Sequence, residues 1–547
     1  MRLHLKTILS LTLIGGLCGD AAAQSDPSLF DTVINVPAVA APDSIDDGTQ
    51  LNLGEGGSLP RGFRSAAGSE VNISGGTADD FFFSGGVLNV TGGTIDPFFR
   101  VESGSVVNIS GGTIGPFVEA RSGSTVNVSG GVIGRGFDAL GGSVVNISGG
   151  RFGDGFSNSS GTNVTISGGM FGRDVAILGE FFSSNVTFIG GEFSLNGQAF
   201  AGDQISVEDG DVFTGTFADG SVFIFSDQFR NGSLEGFNDD QLRGVVSLQR
   251  VDLPAIDTTP ATFNSNSVST PFGLRTGQTL TVENRSLPEN FEAVDATVNL
   301  NNARLLDAAT FQGGSLNVSR FSSVGNGLLT NGATVVVDGG FIAGGFSANF
   351  ASDVIISNEG VVRSLAITSS SVDISSGGSI GDIFLDSSTL NLTEGTIGGI
   401  SVSEAIDSTL NISGGEVVGR FSLAEGSVVN FSGGDLGDDF RAQTGSTVNV
   451  FGTEFFLDGG NTAIFLEPGQ TIEIEDRGST LTGLLADGSD FEIILDPTIF
   501  NGPGFSRNAI LRLTSTAVAV PEPAHTSVLL LGILSLLSRR KRKPLQA

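Results

Sequence analysis

A repeat of about nineteen residues constrains this chain more than any other feature of its sequence. The segment SGSVVNISGGTIGPFVEARSGSTVNVSGGVIG, residues 103–134, contains almost the same sequence motif twice, nineteen residues apart. A glycine pair or its equivalent begins at Gly75, Gly92, Gly111, Gly130, Gly149, Gly168 and Gly190. A second series, with spacings of 18 to 20, places the counterpart of Asn108 at Asn299, Asn317, Val336, Ile355, Asp373, Asn391, Asn411, Asn430 and Asn449. A fixed internal period of this length is typical of a repeat architecture.

The apolar residues within each repeat follow the period of a strand. Counted from the first glycine of each pair, they recur at +3, +7 and +9, and again at +15 and +17, so that the step within each cluster is two. The glycines supply the corners between the strands, because glycine accepts a positive φ without steric cost. Two or three short strands cannot fold alone, so each coil must pair with the next. We therefore predict an all-β fold of two tandem parallel β-solenoids, and we prefer the right-handed form.

The phenylalanines at +7 are the largest members of this pattern. They are Phe99, Phe137, Phe156, Phe346, Phe384, Phe421 and Phe440. Their strand spacing beside the other apolar positions predicts a stack inside the core. A sugar-binding platform is the alternative, but Trp and Tyr, whose polar groups suit such platforms, are absent from the chain.

The two series are copies of one larger module. They are preceded by segments that share Ser58-Leu59-Pro60 and Ser286-Leu287-Pro288, and followed by segments that share Ala218-Asp219-Gly220-Ser221 and Ala486-Asp487-Gly488-Ser489. A solenoid needs such atypical ends to close its exposed sheet edges. We predict a leader over residues 24–45, a first solenoid with end caps over 46–250, a linker over 251–270 and a second solenoid with end caps over 271–515.

The N-terminal segment has the composition of a secretory signal peptide. Two basic residues precede the apolar stretch TILSLTLIGGL, and small residues lead up to Ala21, Ala23 and Gln24. This order is typical of a cleaved export signal. We predict a signal peptide over residues 1–23, with cleavage before Gln24. The only cysteine, Cys18, leaves a lipoprotein anchor as an alternative.

The C-terminal segment combines three features in a fixed order. The tripeptide Pro521-Glu522-Pro523 comes first, an apolar run follows up to Leu537, and a basic cluster ends the segment. The cluster contains Arg539, Arg540, Lys541 and Arg542. Basic residues after an apolar helix favour the cytoplasmic side of a membrane. The apolar run is shorter than the roughly 20 residues of a permanent span, which predicts a transient anchor.

This segment resembles the PEP-CTERM sorting signal of Gram-negative, biofilm-forming bacteria. The resemblance covers the C-terminal end of the chain, and we assign residues 516–547 to the signal. It implies that an exosortase, a transpeptidase-like membrane enzyme, cleaves near Pro521-Glu522-Pro523 after a short hydrophobic helix has anchored the chain transiently in the inner membrane. It also implies a final location at the cell surface or in the extracellular matrix. An ordinary single-span tail anchor is the alternative.

The composition between the two ends excludes several kinds of function. Residues 24–520 contain no His, Lys, Cys, Trp or Tyr, and they carry 20 arginines against 57 acidic residues, a net charge of −37. Such a surface repels nucleic acid, because phosphate binding requires a basic patch. Catalysis through His, Lys or Cys is excluded, and so is zinc binding through His or Cys. We therefore predict no nucleic-acid partner, no cofactor and no enzyme.

The asparagines of the repeat lie between two inward apolar residues and are expected to face outward. In the two series they include Asn72, Asn89, Asn108, Asn127, Asn146, Asn391, Asn411, Asn430 and Asn449. Side-chain amides stacked at strand spacing can bond to one another, which predicts a structural ladder. A ligand-binding face is the alternative.

Acidic pairs such as Asp79-Asp80 and Asp438-Asp439 have the oxygen ligands that calcium prefers, but scattered surface charge is the simpler interpretation.

Taken together, these features predict a secreted, non-enzymatic structural or adhesive protein of the cell envelope or exopolysaccharide matrix, with extracellular polysaccharide as a partner. One alternative is a β-helix polysaccharide lyase or glycoside hydrolase that uses paired carboxylates or arginine with calcium. The other is a calcium-dependent surface assembly protein.

Overall fold

A computed structural model describes residues 29–516, except 173–174, 179–183, 208–210, 227–240, 268–270, 272, 399–402, 438, 459 and 497–503. The predicted signal peptide, and the predicted sorting signal apart from Thr516, lie outside the described residues, and so do all the residues named for cleavage and sorting. The described part contains no α-helix and forms a parallel β-solenoid of about 20 turns. The chain divides into two compact units, residues 1–353 and residues 354–547.

Residues one repeat apart lie directly above one another. Val107 pairs with Val126, and Val126 pairs with Val145, in parallel register. The predicted all-β solenoid class is therefore confirmed, while its handedness stays a prediction. No described strand of the first array, which ends at Arg250, belongs to the sheet of the second array, which begins at Ala261.

The first array is built from three columns of strands and an end cap. The column that contains the asparagines consists of Thr32–Val36, Thr49–Leu53, Glu70–Ile73, Val87–Val90, Val106–Ile109, Thr125–Ile133, Val144–Phe152, Asn163–Met170, Asn185–Leu195 and Val246–Arg250. The next column contains Ser58–Leu59, Thr77–Ala78, Thr94–Ile95 and Thr113–Ile114, and then merges with the first. The third column consists of Ser44–Ile45, Arg64–Ser65, Phe83–Ser84, Arg100–Val101, Val118–Ala120, Phe137–Ala139, Ser157–Asn158, Ala176–Leu178 and Gln241–Arg243. The cap consists of Gln198–Ala199, Gln204–Ile205, Val212–Phe217 and Val222–Ser226.

The second array repeats this construction, and within each unit successive coils pair in parallel. Its strands within residues 1–353 are Ala261–Phe263, Gly273–Leu274, Thr279–Glu283, Ser286–Leu287, Glu292–Val294, Thr297–Asn301, Arg304–Leu305, Thr310–Gln312, Ser315–Ser319, Ser323–Val324, Leu329–Asn331, Thr334–Asp338, Phe341–Ile342 and Phe346–Asn349. A further strand covers Asp353–Ser357. The strands of the second unit are Val361–Thr368, Ser371–Ile374, Ser379–Asp386, Thr389–Leu392, Thr396–Ile397, Ser403–Ile406, Thr409–Val417, Arg420–Leu423, Val428–Asp435, Asp439–Ala442, Thr447–Leu457, Thr462–Ile464, Thr471–Glu473, Thr480–Leu485, Asp490–Ile494, Gly504–Phe505 and Ile510–Ser515.

The predicted inward positions form the core. Ile114, Ala139 and Val126 have no exposed surface, and six of the seven phenylalanines at +7 are at most 7 % exposed. Their rings stack from coil to coil, as in Phe137 and Phe156, whose centroids are 5.5 Å apart. The core prediction is therefore confirmed at these positions.

Phe384 is the exception, and its prediction as a core residue is wrong. It is half-buried, while its neighbours Ile383 and Leu385 are 2 % and 0 % exposed. In this coil the buried positions Ile380 and Ile383 are three residues apart, as are their partners Val362 and Leu365 in the preceding coil, whereas Ile133 and Phe137 of the first array are four residues apart. A shift of one residue turns every following side chain of a strand to the other face, which brings Phe384 outward.

The glycine pair is explained by two different steric requirements. A Cβ atom on Gly130 would lie 2.5 Å from the carbonyl oxygen of Ser110 in the coil below. Gly131 has a φ of +86°, a conformation that side chains with a Cβ rarely adopt. The first glycine therefore permits the close approach of two coils, and the second permits the corner.

Each array ends in an antiparallel hairpin whose tip is the shared Ala-Asp-Gly-Ser segment. Asp219 accepts hydrogen bonds from the backbone N–H and the hydroxyl of Ser221, and its second oxygen accepts one from the N–H of Gly169. Asp487 makes the same two bonds with Ser489 in the second unit. The aspartate thus closes the turn, and in the first array it also ties the cap to a corner of the repeat.

The start of the second array packs on the cap of the first. Arg275 is 7 % exposed, and it donates to a carboxylate oxygen of Glu192 at 3.2 Å and to the carbonyl of Pro254 at 2.8 Å. Val222 and Ile224 of the cap are each 4 % exposed. These contacts lie within residues 1–353. The predicted domain and linker boundaries stay predictions.

Candidate binding surfaces

The asparagine ladder of the first array is continuous over seven coils. Each side-chain amide donates to the amide oxygen of the asparagine one coil earlier, at distances of 2.9 to 3.0 Å. The ladder consists of Asn35, Asn52, Asn72, Asn89, Asn108, Asn127 and Asn146. The predicted ladder is confirmed for the last five, although Asn72 and Asn89 are buried at 9 % and 7 % exposure. Asn35 and Asn52 extend it toward the N-terminus. In this ladder Glu70, 2 % exposed, also accepts hydrogen bonds from Gln50 and Asn72 at 2.7 and 2.8 Å.

The second unit contains a shorter ladder of the same kind. Asn391 donates to Asp373 at 2.6 Å, and Asn411, Asn430 and Asn449 continue the chain of bonds at 2.8 to 2.9 Å. In the first unit Asn317 donates to Asn299 at 2.8 Å, and Val336 takes the next position in register. The amide pattern is therefore interrupted at the positions where the sequence replaces asparagine.

The ladders keep hydrogen-bonding capacity for a ligand. A primary amide has two N–H donors and two acceptor sites, and one of each is used along the ladder. Asn108, Asn127 and Asn146 are only half-buried. Their outer face can therefore present the same donor and acceptor to solvent in each successive coil.

Three carboxylates of neighbouring coils converge on one corner of the first array. Carboxylate oxygens of Asp79, Asp80 and Asp96 all lie within 4.8 Å of one another. Burial, and then the negative charges of Asp79 and Asp80, raise the pKa of Asp96 above its ordinary value. The sequence singled out Asp79-Asp80, but only the coil register brings in Asp96. This donor set could hold a hard cation such as calcium.

The other acidic pair is only partly described, because Asp438 lies outside the described residues. Asp439 forms ion pairs with Arg420 and Arg441 at 3.3 and 3.2 Å. On the third column of the first array, Glu119 likewise pairs with Arg100 and Arg121 at 3.1 and 3.3 Å. The negative charges of Asp439 and Glu119 are therefore balanced by neighbouring arginines.

A column of outward phenylalanines lies close to the three carboxylates in sequence. Phe81, Phe98 and Phe117 are stacked with centroid distances of 4.9 and 5.2 Å and interplanar angles of 9° and 15°. Phe98 and Phe117 are 39 % and 40 % exposed. The +7 pattern did not predict this column, because these residues lie one position before the buried residues Phe82, Phe99 and Val118. The sequence feature that could have indicated it is the run Phe81-Phe82-Phe83, because three successive phenylalanines cannot all face the core. In the structure Phe82 is buried and its two neighbours are not.

The second unit contains a groove of about 670 Å³ on its C-terminal cap. Its lining includes four exposed carboxylates together with Phe440, Phe456 and Thr482. The carboxylates are Asp435, Glu454, Asp490 and Glu492. The shared Ala-Asp-Gly-Ser segment aligns Asp490 and Glu492 with Val222 and Ile224, which are buried in the first cap. The second cap thus presents acidic residues at positions that are apolar in the first.

The chain has a β-solenoid fold, and comparison with known proteins does not assign it to a family. The chain matches no protein-family model and is similar to no curated protein. Among residues 29–516, with the gaps given above, no helix has the length and apolar character needed to cross a membrane. The residues predicted for signal cleavage and sorting, from Ala21 to Gln24 and from Pro521 to Arg542, lie outside the described part.

Proposed function

We propose that this chain is an exported, non-enzymatic structural or adhesive protein of the cell envelope or exopolysaccharide matrix. The observation that carries the proposal is the repetition of one outward polar pattern from coil to coil, most clearly in the two asparagine ladders. A surface that offers the same weak contact many times binds an extended partner through multivalency. The net charge of −37 over residues 24–520 keeps the molecules apart in solution.

Extracellular polysaccharide is the proposed partner, because a repeating ligand suits a repeating surface. We expect the purified protein to be retained on at least one matrix polysaccharide without releasing new reducing or unsaturated chain ends. A panel of immobilised polysaccharides, run with calcium and with chelator, measures retention and chain ends together. New chain ends produced by the wild-type protein would contradict the non-enzymatic assignment.

The proposed route to the matrix rests on the C-terminal resemblance. An exosortase is the processing partner, the hydrophobic segment is a transient inner-membrane anchor, and the final location is the cell surface or matrix. Replacement of Pro521, Glu522 and Pro523 by alanine is expected to leave the full-length chain in the membrane fraction, as seen by immunoblotting of fractionated cells. A matched replacement of Thr258-Thr259-Pro260 in the predicted linker by alanine should leave processing unchanged. Normal processing of the first variant would argue against the sorting signal.

A glycoside hydrolase is the second candidate, and the acidic groove of the second unit favours it. Hydrolysis of a glycosidic bond requires two carboxyl groups on either side of the bond, and the groove offers four. If the polysaccharide panel yields new chain ends, Glu454→Gln and Asp490→Asn should abolish them. Calcium-dependent assembly is the remaining alternative, supported by the three carboxylates around Asp96. The chelator arm of the same panel tests it.

A further inference from the structure

The phenylalanine column occupies a backbone position that glycine takes in the flanking coils. The backbone N–H groups of Gly62, Phe81, Phe98, Phe117 and Gly136 each donate to the following coil at 2.7 to 3.1 Å, which makes these five residues structural equivalents. Their φ angles are +77°, +59°, +66°, +66° and +72°, respectively. Glycine takes this conformation freely, whereas a bulky side chain is strained in it.

Phe98 and Phe117 are exposed and Phe81 is half-buried, so burial of the rings in the core does not explain the strain. Three consecutive coils replace the glycine of the flanking coils by phenylalanine, and the rings leave the core and point toward solvent. Strain that is repeated at one position in three consecutive coils, with the three rings stacked on one another, motivates a functional hypothesis for that position. The guanidinium of Arg61 lies 5.0 Å from the ring centroid of Phe81, and that of Arg135 lies 5.5 Å from that of Phe117. The column is therefore a bounded strip of three rings with an arginine at each end.

We propose that Phe81, Phe98 and Phe117 form the contact strip for a neutral, hydroxyl-rich glycan that runs along the solenoid, an inference that rests on the proposed function. Successive coils rise by about 4.8 Å, which is comparable to the length of one pyranose unit, so successive sugars meet successive rings. The ring faces cover one another, and therefore the glycan packs its apolar C–H surface on the ring edges. Each contact is small, and the strip acts through three of them at once.

The charges around the strip, three carboxylates against the two arginines, favour a neutral glycan over an acidic one. Asp79, Asp80 and Asp96 lie in the corner segments just before Phe81 and Phe98, and their carboxylates accept hydrogen bonds from hydroxyl groups. The same carboxylates repel a uronate. On the preceding strand column Thr77, Thr94 and Thr113 lie in register and add hydroxyl groups.

The test replaces all three phenylalanines by the glycine of the flanking coils. F81G/F98G/F117G relieves the backbone strain, so the solenoid is expected to fold, which a β-sheet circular dichroism spectrum checks. We expect at least about tenfold weaker retention on neutral polysaccharides. Phe321→Gly is the matched control, because Phe321 is 79 % exposed with a φ of +64° and lies outside the column. It should bind as the wild type does.

The outcomes separate this proposal from the general one. If the wild-type protein binds no polysaccharide, the proposed function fails. If the wild type binds and the triple variant binds equally well, only the contact strip fails. Binding restricted to uronate polymers in the presence of calcium overturns the neutral-glycan assignment. A change of oligomeric state in the triple variant, measured by light scattering, overturns it in favour of self-association through the rings.

Discussion

Replacing Phe99 by alanine is expected to destabilise the first array by about 3–5 kcal/mol, the usual cost of removing a buried phenylalanine. Phe99 has no exposed surface, and its ring packs against that of Phe82 at 5.3 Å. The coils above and below are held in register by backbone hydrogen bonds, so they cannot collapse into the cavity. Hydrogen–deuterium exchange of the strands around residues 87–120 measures the loss locally, which suits a repeat protein that need not unfold in one step.

The adjacent residue provides the control for this experiment. Phe98→Gly removes an equally large side chain, but from an exposed position with a φ of +66°. It relieves backbone strain of about 1–2 kcal/mol and loses ring stacking of about 0.5–1.5 kcal/mol on each side, so the net change should be small. Equal destabilisation by the two variants would show that the inward and outward assignments are wrong.

Replacing Gly130 by alanine is expected to destabilise the repeat by about 1–3 kcal/mol through overpacking. The added Cβ would lie 2.5 Å from the carbonyl oxygen of Ser110, a backbone atom that cannot move aside without opening the ladder between two coils. The effect should therefore extend to both neighbouring coils. Thermal unfolding and hydrogen exchange of the Thr125–Ile133 strand measure it.

Gly54→Ala is the matched control for the close-approach argument. A Cβ there would meet only the carbonyl oxygen of Val36 at 3.6 Å, an ordinary contact, and Gly54 has no positive φ. Stability should stay within about 0.5 kcal/mol of the wild type or rise slightly, because alanine restricts the unfolded chain. If Gly130→Ala is as harmless as Gly54→Ala, close approach of the coils does not explain the first glycine of the pair.

The alternative functions differ in where their residues lie, and this makes them separable. The asparagine ladders and the phenylalanine strip depend on repetition along the coils, whereas the hydrolase alternative depends on one groove in the second cap. Variants at Glu454 and Asp490 should leave glycan retention by the first array unchanged. Variants at Phe81, Phe98 and Phe117 should leave any activity of the groove unchanged.

The solenoid class, most of the core and the asparagine ladder could be predicted from the amino-acid sequence. Each of these follows from two periods that can be counted along the chain, nineteen residues for the coil and two for the strand. The pattern failed at Phe384 because one residue is missing from a corner, and a period-two pattern loses its phase at such a point.

The way in which side chains of different coils meet at the corners became visible only in the folded structure. The approach of Asp96 to Asp79 and Asp80, the docking of Arg275 on Glu192 and the four carboxylates of the second cap depend on the path of the corners and hairpins between strands. The outward turn of Phe98 beside the inward Phe99 depends on a single positive φ. Periodicity fixes which face a strand residue takes, but at corners the direction of a side chain is set by local backbone angles, and these are decided by the packing of one coil on the next.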